Sequence, residues 1–174
     1  MRYARRAVAA TLVILALSGC TSPDLSPVPT TAEEPFACTG VPRGSAELLL
    51  GGAVDVESEY GAWGGDFGED FECTIERGDA SVYVREEING LGEDQWEGFK
   101  TGGDPIEADA PGKGVIRPGE DSAWAGWACG RRTLLLSVTG PAIDGRDVRE
   151  DTEALLVSML PWTCEGEAPP ARSE

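Results

Sequence analysis

Four cysteines, Cys38, Cys73, Cys129 and Cys164, restrict the fold of this chain more than any other feature. The first two and the last two are separated by equal lengths of chain. There is no histidine anywhere and no Cys-x-x-Cys pair, so the usual zinc-ligand spacings are missing and no metal site is expected. An even number of cysteines in an exported domain points to disulfides. Four cysteines allow three connectivities. The equal spacing favours Cys38–Cys73 and Cys129–Cys164, each of which ties a helix-flanking segment to a strand. A loop of that size is worth about 3–4 kcal/mol in the chain-entropy account of disulfide stabilisation.

Export is argued by the N-terminus. Arg2, Arg5 and Arg6 precede an apolar run from Ala7 to Leu17, which is followed by Ser18-Gly19-Cys20. Charge, apolar run and small residues make a secretory signal. The apolar run is too short for a bilayer, which takes about 20 residues. Leu17-Ser18-Gly19-Cys20 resembles a bacterial lipobox. The resemblance implies that residues 1–19 are removed and that Cys20 becomes an acylated first residue. Two acyl chains are enough for stable anchoring. Residues 20–37 then read as the lipidated cysteine and a Pro-rich tether, with Pro23, Pro27, Pro29 and Pro35. At about 3.1 Å per residue, such a tether reaches roughly 50 Å. Residues 38–164 read as one domain and 165–174 as a disordered tail.

Within the domain, Ser45–Leu50 reads as a short helix ended by Gly51-Gly52. Residues 54–60, in which Val54 and Val56 alternate with acids, read as a strand. Phe71–Glu76 and Ser81–Glu86 alternate around a Gly78-Asp79 turn, which marks a hairpin. The turn chemistry also accounts for the tripeptide Arg77-Gly78-Asp79. Asn89-Gly90 marks a further turn, and Glu93–Lys100 a helical turn or two. Residues 101–121, with Pro105, Pro111 and Pro118, read as a long loop. Ser122–Cys129 and Thr133–Thr139 form a second hairpin. Asp144–Leu160 reads as the main helix, with Val148, Leu155, Leu156 and Met159 on one face and Pro161 as its stop. The expected fold is α+β: an antiparallel sheet of about four or five strands in two hairpins, with the short N-terminal helix and the longer C-terminal helix packed on one face, and two disulfides.

Cys38, Leu49-Leu50-Gly51 and a strand-borne Cys73, all downstream of the lipobox-like segment, resemble a broad class of actinobacterial envelope lipoproteins of unknown function. Ile75 stands where members often carry an aromatic residue. The resemblance implies an exported two-disulfide α+β domain and supplies no enzymatic activity to carry over.

The chain has 31 acidic side chains against 14 basic ones, a formal net charge of −17. That surface repels nucleic acid, whose binding depends on Lys and Arg neutralising phosphates. Without histidine, the Ser-His-Asp and Cys-His arrangements are unavailable, and no catalytic residue is assigned. Gly112-Lys113-Gly114 lacks the remainder of a phosphate loop, and no cofactor is expected. Asp66, Glu69, Asp70 and Glu72 are the densest acidic group among aromatics. They offer carboxylates for glycosidic chemistry or oxygen ligands for calcium, without the spacing of a calcium loop. Of five tryptophans, Trp124 and Trp127 lie three apart in a strand and so point to opposite faces. Both are candidate binding residues. The expected function is a non-catalytic binding or accessory module, lipid-anchored on the outer face of the cell membrane, with an envelope protein as partner. The alternatives are a carboxylate-dependent cell-wall glycan hydrolase and a structural subunit of an envelope complex.

Overall fold

A computed structural model describes residues 23–64, 70–88, 93–141 and 143–173. Its centre is a seven-stranded antiparallel sheet in the order β3-β4-β5-β9-β8-β7-β6. The strands are β3 (Asp55–Tyr60), β4 (Phe71–Arg77), β5 (Ala80–Ile88), β6 (Asp104–Ile106), β7 (Lys113–Pro118), β8 (Ser122–Cys129) and β9 (Arg132–Thr139). A separate two-stranded sheet pairs β1 (Phe36–Cys38) with β2 (Val41–Pro42). The α+β class is as expected, but the sheet is larger than four or five strands. The added strands are β6 and β7, which lie in the stretch read as a long loop. Their composition hides them: Pro105 sits in the edge strand β6, where a missing N–H is tolerated. Gly114 of β7 stands opposite Trp127, and a Cβ there would come within 2.3 Å of the indole ring.

Both hairpins close with two residues. Arg77 pairs with Ala80 around Gly78-Asp79, and Cys129 pairs with Arg132 around Gly130-Arg131. Gly78 and Gly130, at φ +61° and +59°, take the first central position, where a side chain is disfavoured. The two hairpins meet at β5–β9, so Val82 faces Val138, Val84 faces Leu136 and Glu86 faces Leu134. This inner face continues through Phe71, Cys73 and Ile75 on one side and Ala125 and Trp127 on the other.

The inner face is covered by α1 (Arg43–Leu50) and α3 (Val148–Ser158), which also touch each other. Leu155, Leu156 and Met159 are fully buried. Asp147 caps α3, its carboxylate accepting from the amides of Arg149 and Glu150. The helix therefore begins after the expected Asp144. Pro161 does not end the helical region. It lies in the first turn of α4 (Leu160–Cys164), where proline fits. At the C-terminus of α1, Arg77 Nη1 donates to the Leu50 carbonyl (2.9 Å). The helix α2 (Glu93–Lys100) lies on the opposite, outer face, where Phe99 covers Gly126 and Leu135.

The disulfides join Cys38 to Cys73 and Cys129 to Cys164, each across 35 residues. One fastens β1 to the sheet, and the other fastens the end of α4 to the end of β8.

Both ends differ from the free segments expected. Val28 is buried in the core, and Arg146 Nη1 donates to the carbonyls of Asp24 (2.7 Å) and Ser26 (3.0 Å). At the other end, the Gly40 amide donates to Pro170 O (2.8 Å) and the Ser173 amide to Phe36 O (3.1 Å). Parts of the stretch read as tether, at residues 24–28 and 36–37, and of that read as tail, at residues 170–173, thus lie on the body.

Candidate functional site

The outer face of the sheet presents one continuous row of side chains. Arg117, Trp124, Ser137, Tyr83, Thr74 and Ser58 stand in register across β7, β8, β9, β5, β4 and β3. Adjacent strands lie about 4.8 Å apart. Trp124 and Tyr83 therefore flank Ser137 at a separation of about 10 Å. A second row carries Ser122, Thr139, Ser81 and Glu76, with Ser81 and Thr139 hydroxyls 2.9 Å apart. α2 covers this face at Gly126 and is held there through Arg117, so Trp124 stands at the margin of the helix.

Trp124 is 49% exposed, an unusual state for so large an apolar side chain. Arg117 lies beside it, with its guanidinium directed to the carbonyls of Gly98 and Thr101 in and after α2 and placed over the Phe99 ring. That arginine braces the edge of the α2 roof. Tyr83 is half-buried. Burial and then the Glu72 carboxylate push its hydroxyl above the ordinary range, so it stays protonated and able to donate. Trp127, the other candidate, is 2% exposed and belongs to the core; its Nε1 donates to Pro111 O (2.9 Å). Its opposite strand face, as expected from its spacing, removes it from any binding surface.

The acidic group near the aromatics is only partly visible: Asp66 and Glu69 lie outside the described residues, as does Cys20. Asp70 and Glu72 both pair with Arg85, at 3.0 and 3.4 Å, and Glu87 joins them at 3.1 Å. These carboxylates surround a cation of the chain itself. Among the described residues no cluster of three or more potential ligands suits a metal ion.

A carboxyl that the sequence did not single out is Glu86. It sits on the inner face between Phe71 and Leu134 and is fully buried. Oε2 accepts from the Gly64 amide (2.6 Å), while Oε1 has no hydrogen bond and lies 3.6 Å from Arg132 Nη1. Burial drives its pKa above the ordinary carboxylate range, against the opposing pull of the Gly64 amide and Arg132. Trp63 stacks on Phe71 (centroids 4.5 Å apart) and meets Trp162 edge-on. Arg132 holds the carbonyls of Trp162 and Thr163 as well. The sequence signal that marks Glu86 is its parity: it falls on the apolar side of an alternating strand.

Two cavities flank α1. One, of about 550 Å³, lies between residues 23–34 and α1, and its walls include Asp24, Glu33, Glu34 and Glu47. The other, of about 440 Å³, opens between the ends of α1, the β4–β5 turn and the start of α3, with Arg77, Arg146 and Asp151 in its walls. Arg146 Nε donates to Asp151 (2.8 Å), a pair that is nearly buried. Neither cavity contains Trp124 or Glu86.

No protein-family model, curated protein or solved structure matches the chain.

Proposed function

We propose that this is an exported lipoprotein, acylated at Cys20 and held on the outer face of the cell membrane, whose globular domain is a non-catalytic binding module for an envelope protein. The observation that carries the binding reading is Trp124, 49% exposed on the outer face of the sheet at the margin of α2, with Ser137 beside it on β9. An exposed tryptophan beside an arginine has the residue types in which interface anchors are enriched. The lipobox-like run at 17–20 supports the anchor, and the resemblance to actinobacterial envelope lipoproteins agrees with it.

The test is crosslinking in native envelopes followed by capture of the protein, comparing wild type with Trp124→Ala. The exposed indole makes little of the core, so the variant keeps its melting temperature within about 2 °C, a shift of at most about 1 kcal/mol. The same variant loses the crosslinked species. Undiminished crosslinking of that species moves the interface elsewhere. In parallel, Cys20→Ala releases the protein from the membrane fraction; its retention there overturns the anchor.

A second reading, hydrolysis of wall glycan, is favoured by one observation: Glu86 has the raised pKa of a general acid. That reading needs a second carboxylate facing it across a cleft open to the glycan. Glu86 is closed off between Phe71 and Leu134, and the described acid nearest in charge, Asp70, is engaged with Arg85. Glycan release by the pure domain, abolished in Glu86→Gln, would reverse the order of the two readings.

A further inference from the structure

The docked N-terminal segment changes what an anchor at Cys20 does. Residues 24–28 do not hang from the body. Arg146, at the entry to α3, grips the carbonyls of Asp24 and Ser26 through one nitrogen and Asp151 through another. Leu25 lies over Gly145, where a Cβ would come within 3.1 Å of its methyl group. Val28 is 5% exposed and belongs to the central core cluster. The Asp24 carboxylate accepts from the Ser26 amide (2.9 Å), which folds the segment into a turn beside the arginine.

The chain from Cys20 to Asp24 spans at most about 14 Å when fully extended. We propose that the lipid anchor seats the domain directly on the bilayer by the corner formed by residues 24–28 and the start of α3, with Arg146 as the clasp that keeps the leash short. The surface that faces the lipid is this corner, and the occupant is the outer leaflet that holds the acyl chains. Leu25, 54% exposed, is presented there beside Pro23 and Pro27. With the clasp open and Val28 still seated in the core, the reach grows to roughly 28 Å. The proposal rests on acylation of Cys20.

Asp24, Asp144 and Asp147 stand exposed at the same corner, so an anionic leaflet pushes against the seat over about 8 Å at physiological salt. The covalent leash imposes the position, and charge opposes it. A phosphatidylcholine bilayer isolates the leash from that repulsion.

The experiment uses the full mature protein, purified from membranes and reconstituted in a supported phosphatidylcholine bilayer, with neutron reflectometry reading the hydrated gap between lipid and protein. Wild type gives a gap no wider than about 14 Å. Arg146→Ala opens the clasp at residues 24 and 26 while Val28 stays in the core, and the gap about doubles. An eight-residue Gly-Ser insertion directly after Thr21 leaves the body untouched and widens the gap in the same direction. A wild-type gap of several tens of ångströms, or a gap unmoved by the insertion, overturns the proposal. An intact mass without the diacylglyceryl group sinks the anchor and this inference together. An acylated chain with a wide gap sinks the inference alone.

Discussion

Glu86 is the residue whose placement conflicts most with its chemistry. It occupies an apolar position of β5, fully buried, with one oxygen hydrogen-bonded and the other facing Arg132. Taking a carboxylate out of water costs more than one amide and a 3.6 Å cation return, so the folded state holds its proton more tightly than the unfolded one. The sign of the pH dependence follows. Between the unfolded pKa, about 4.3, and the raised folded value, the native chain binds more protons than the unfolded chain. Stability from this site is complete below that window and is lost as pH rises through it, at up to about 1.4 kcal/mol per pH unit. Glu86→Gln keeps an acceptor for the Gly64 amide and removes the ionisation. In paired urea titrations from pH 4 to pH 8, wild type loses stability relative to Glu86→Gln as the pH climbs through the window. A constant difference between the two across that range would show that the carboxylate is as well solvated in the folded chain as in the unfolded one.

At the scale of elements, the inner face is closed by the size match between one strand and its neighbour. Trp127 fills the space over β7 because Gly114 leaves it open, and Gly112, at φ +113°, lets the chain pass the indole nitrogen and the Ala128 carbonyl. Gly114→Ala puts a methyl group 2.3 Å from a ring that is 2% exposed and held by its bond to Pro111 O. Overpacking of this kind costs about 1–3 kcal/mol. The urea midpoint falls accordingly, and a midpoint that stays put would mean the indole shifts without penalty. This glycine also explains what the sequence disclosed. The β4–β5 and β8–β9 hairpins announce themselves by alternation, α3 by its apolar spacing and the disulfides by equal intervals, because each signal is local or arithmetical. The strand β7 satisfies no such pattern: of its inward positions Gly114 and Ile116, the first is a glycine set by a tryptophan on another strand, and Val115 between them is buried too. Trp124 and Trp127 were separable by parity alone. The grip of Arg146 on residues 24 and 26 was not legible, since it joins segments more than a hundred residues apart through carbonyl oxygens that carry no sequence identity.

For the whole molecule, the two-stranded sheet is where the C-terminal segment is fastened to the body. Cys38 is bonded to Cys73, the Thr39 amide donates to Glu59 Oε1 (2.8 Å), and residues 170–173 run alongside β1. The Phe36 amide donates to Ser173 Oγ (3.0 Å), the Phe36 carbonyl accepts from the Ser173 amide, and the Gly40 amide donates to Pro170 O. Arg172 adds an ion pair to Glu59 at 3.5 Å, with its side chain half-exposed and therefore of small effect. Phe36 and Gly40 are themselves buried, so the amides and the carbonyl that the C-terminal segment satisfies have little water to turn to. Truncation after Glu165 removes these partners while sparing Cys164 and its disulfide. Each lost hydrogen bond is worth about 0.5–1.5 kcal/mol net, and three of them give about 2–4 kcal/mol. For a domain of this size, that lowers the melting temperature by roughly 5–15 °C. Hydrogen exchange locates the effect: the Phe36 and Gly40 amides lose protection in the truncated chain, whereas amides of the β5–β9 pair keep theirs until global unfolding. A melting temperature unchanged to within about 1 °C, a shift below half a kcal/mol, would mean that β1 is held by Cys38–Cys73 and its pairing with β2 alone, and that residues 166–173 contribute nothing to the closure of the fold.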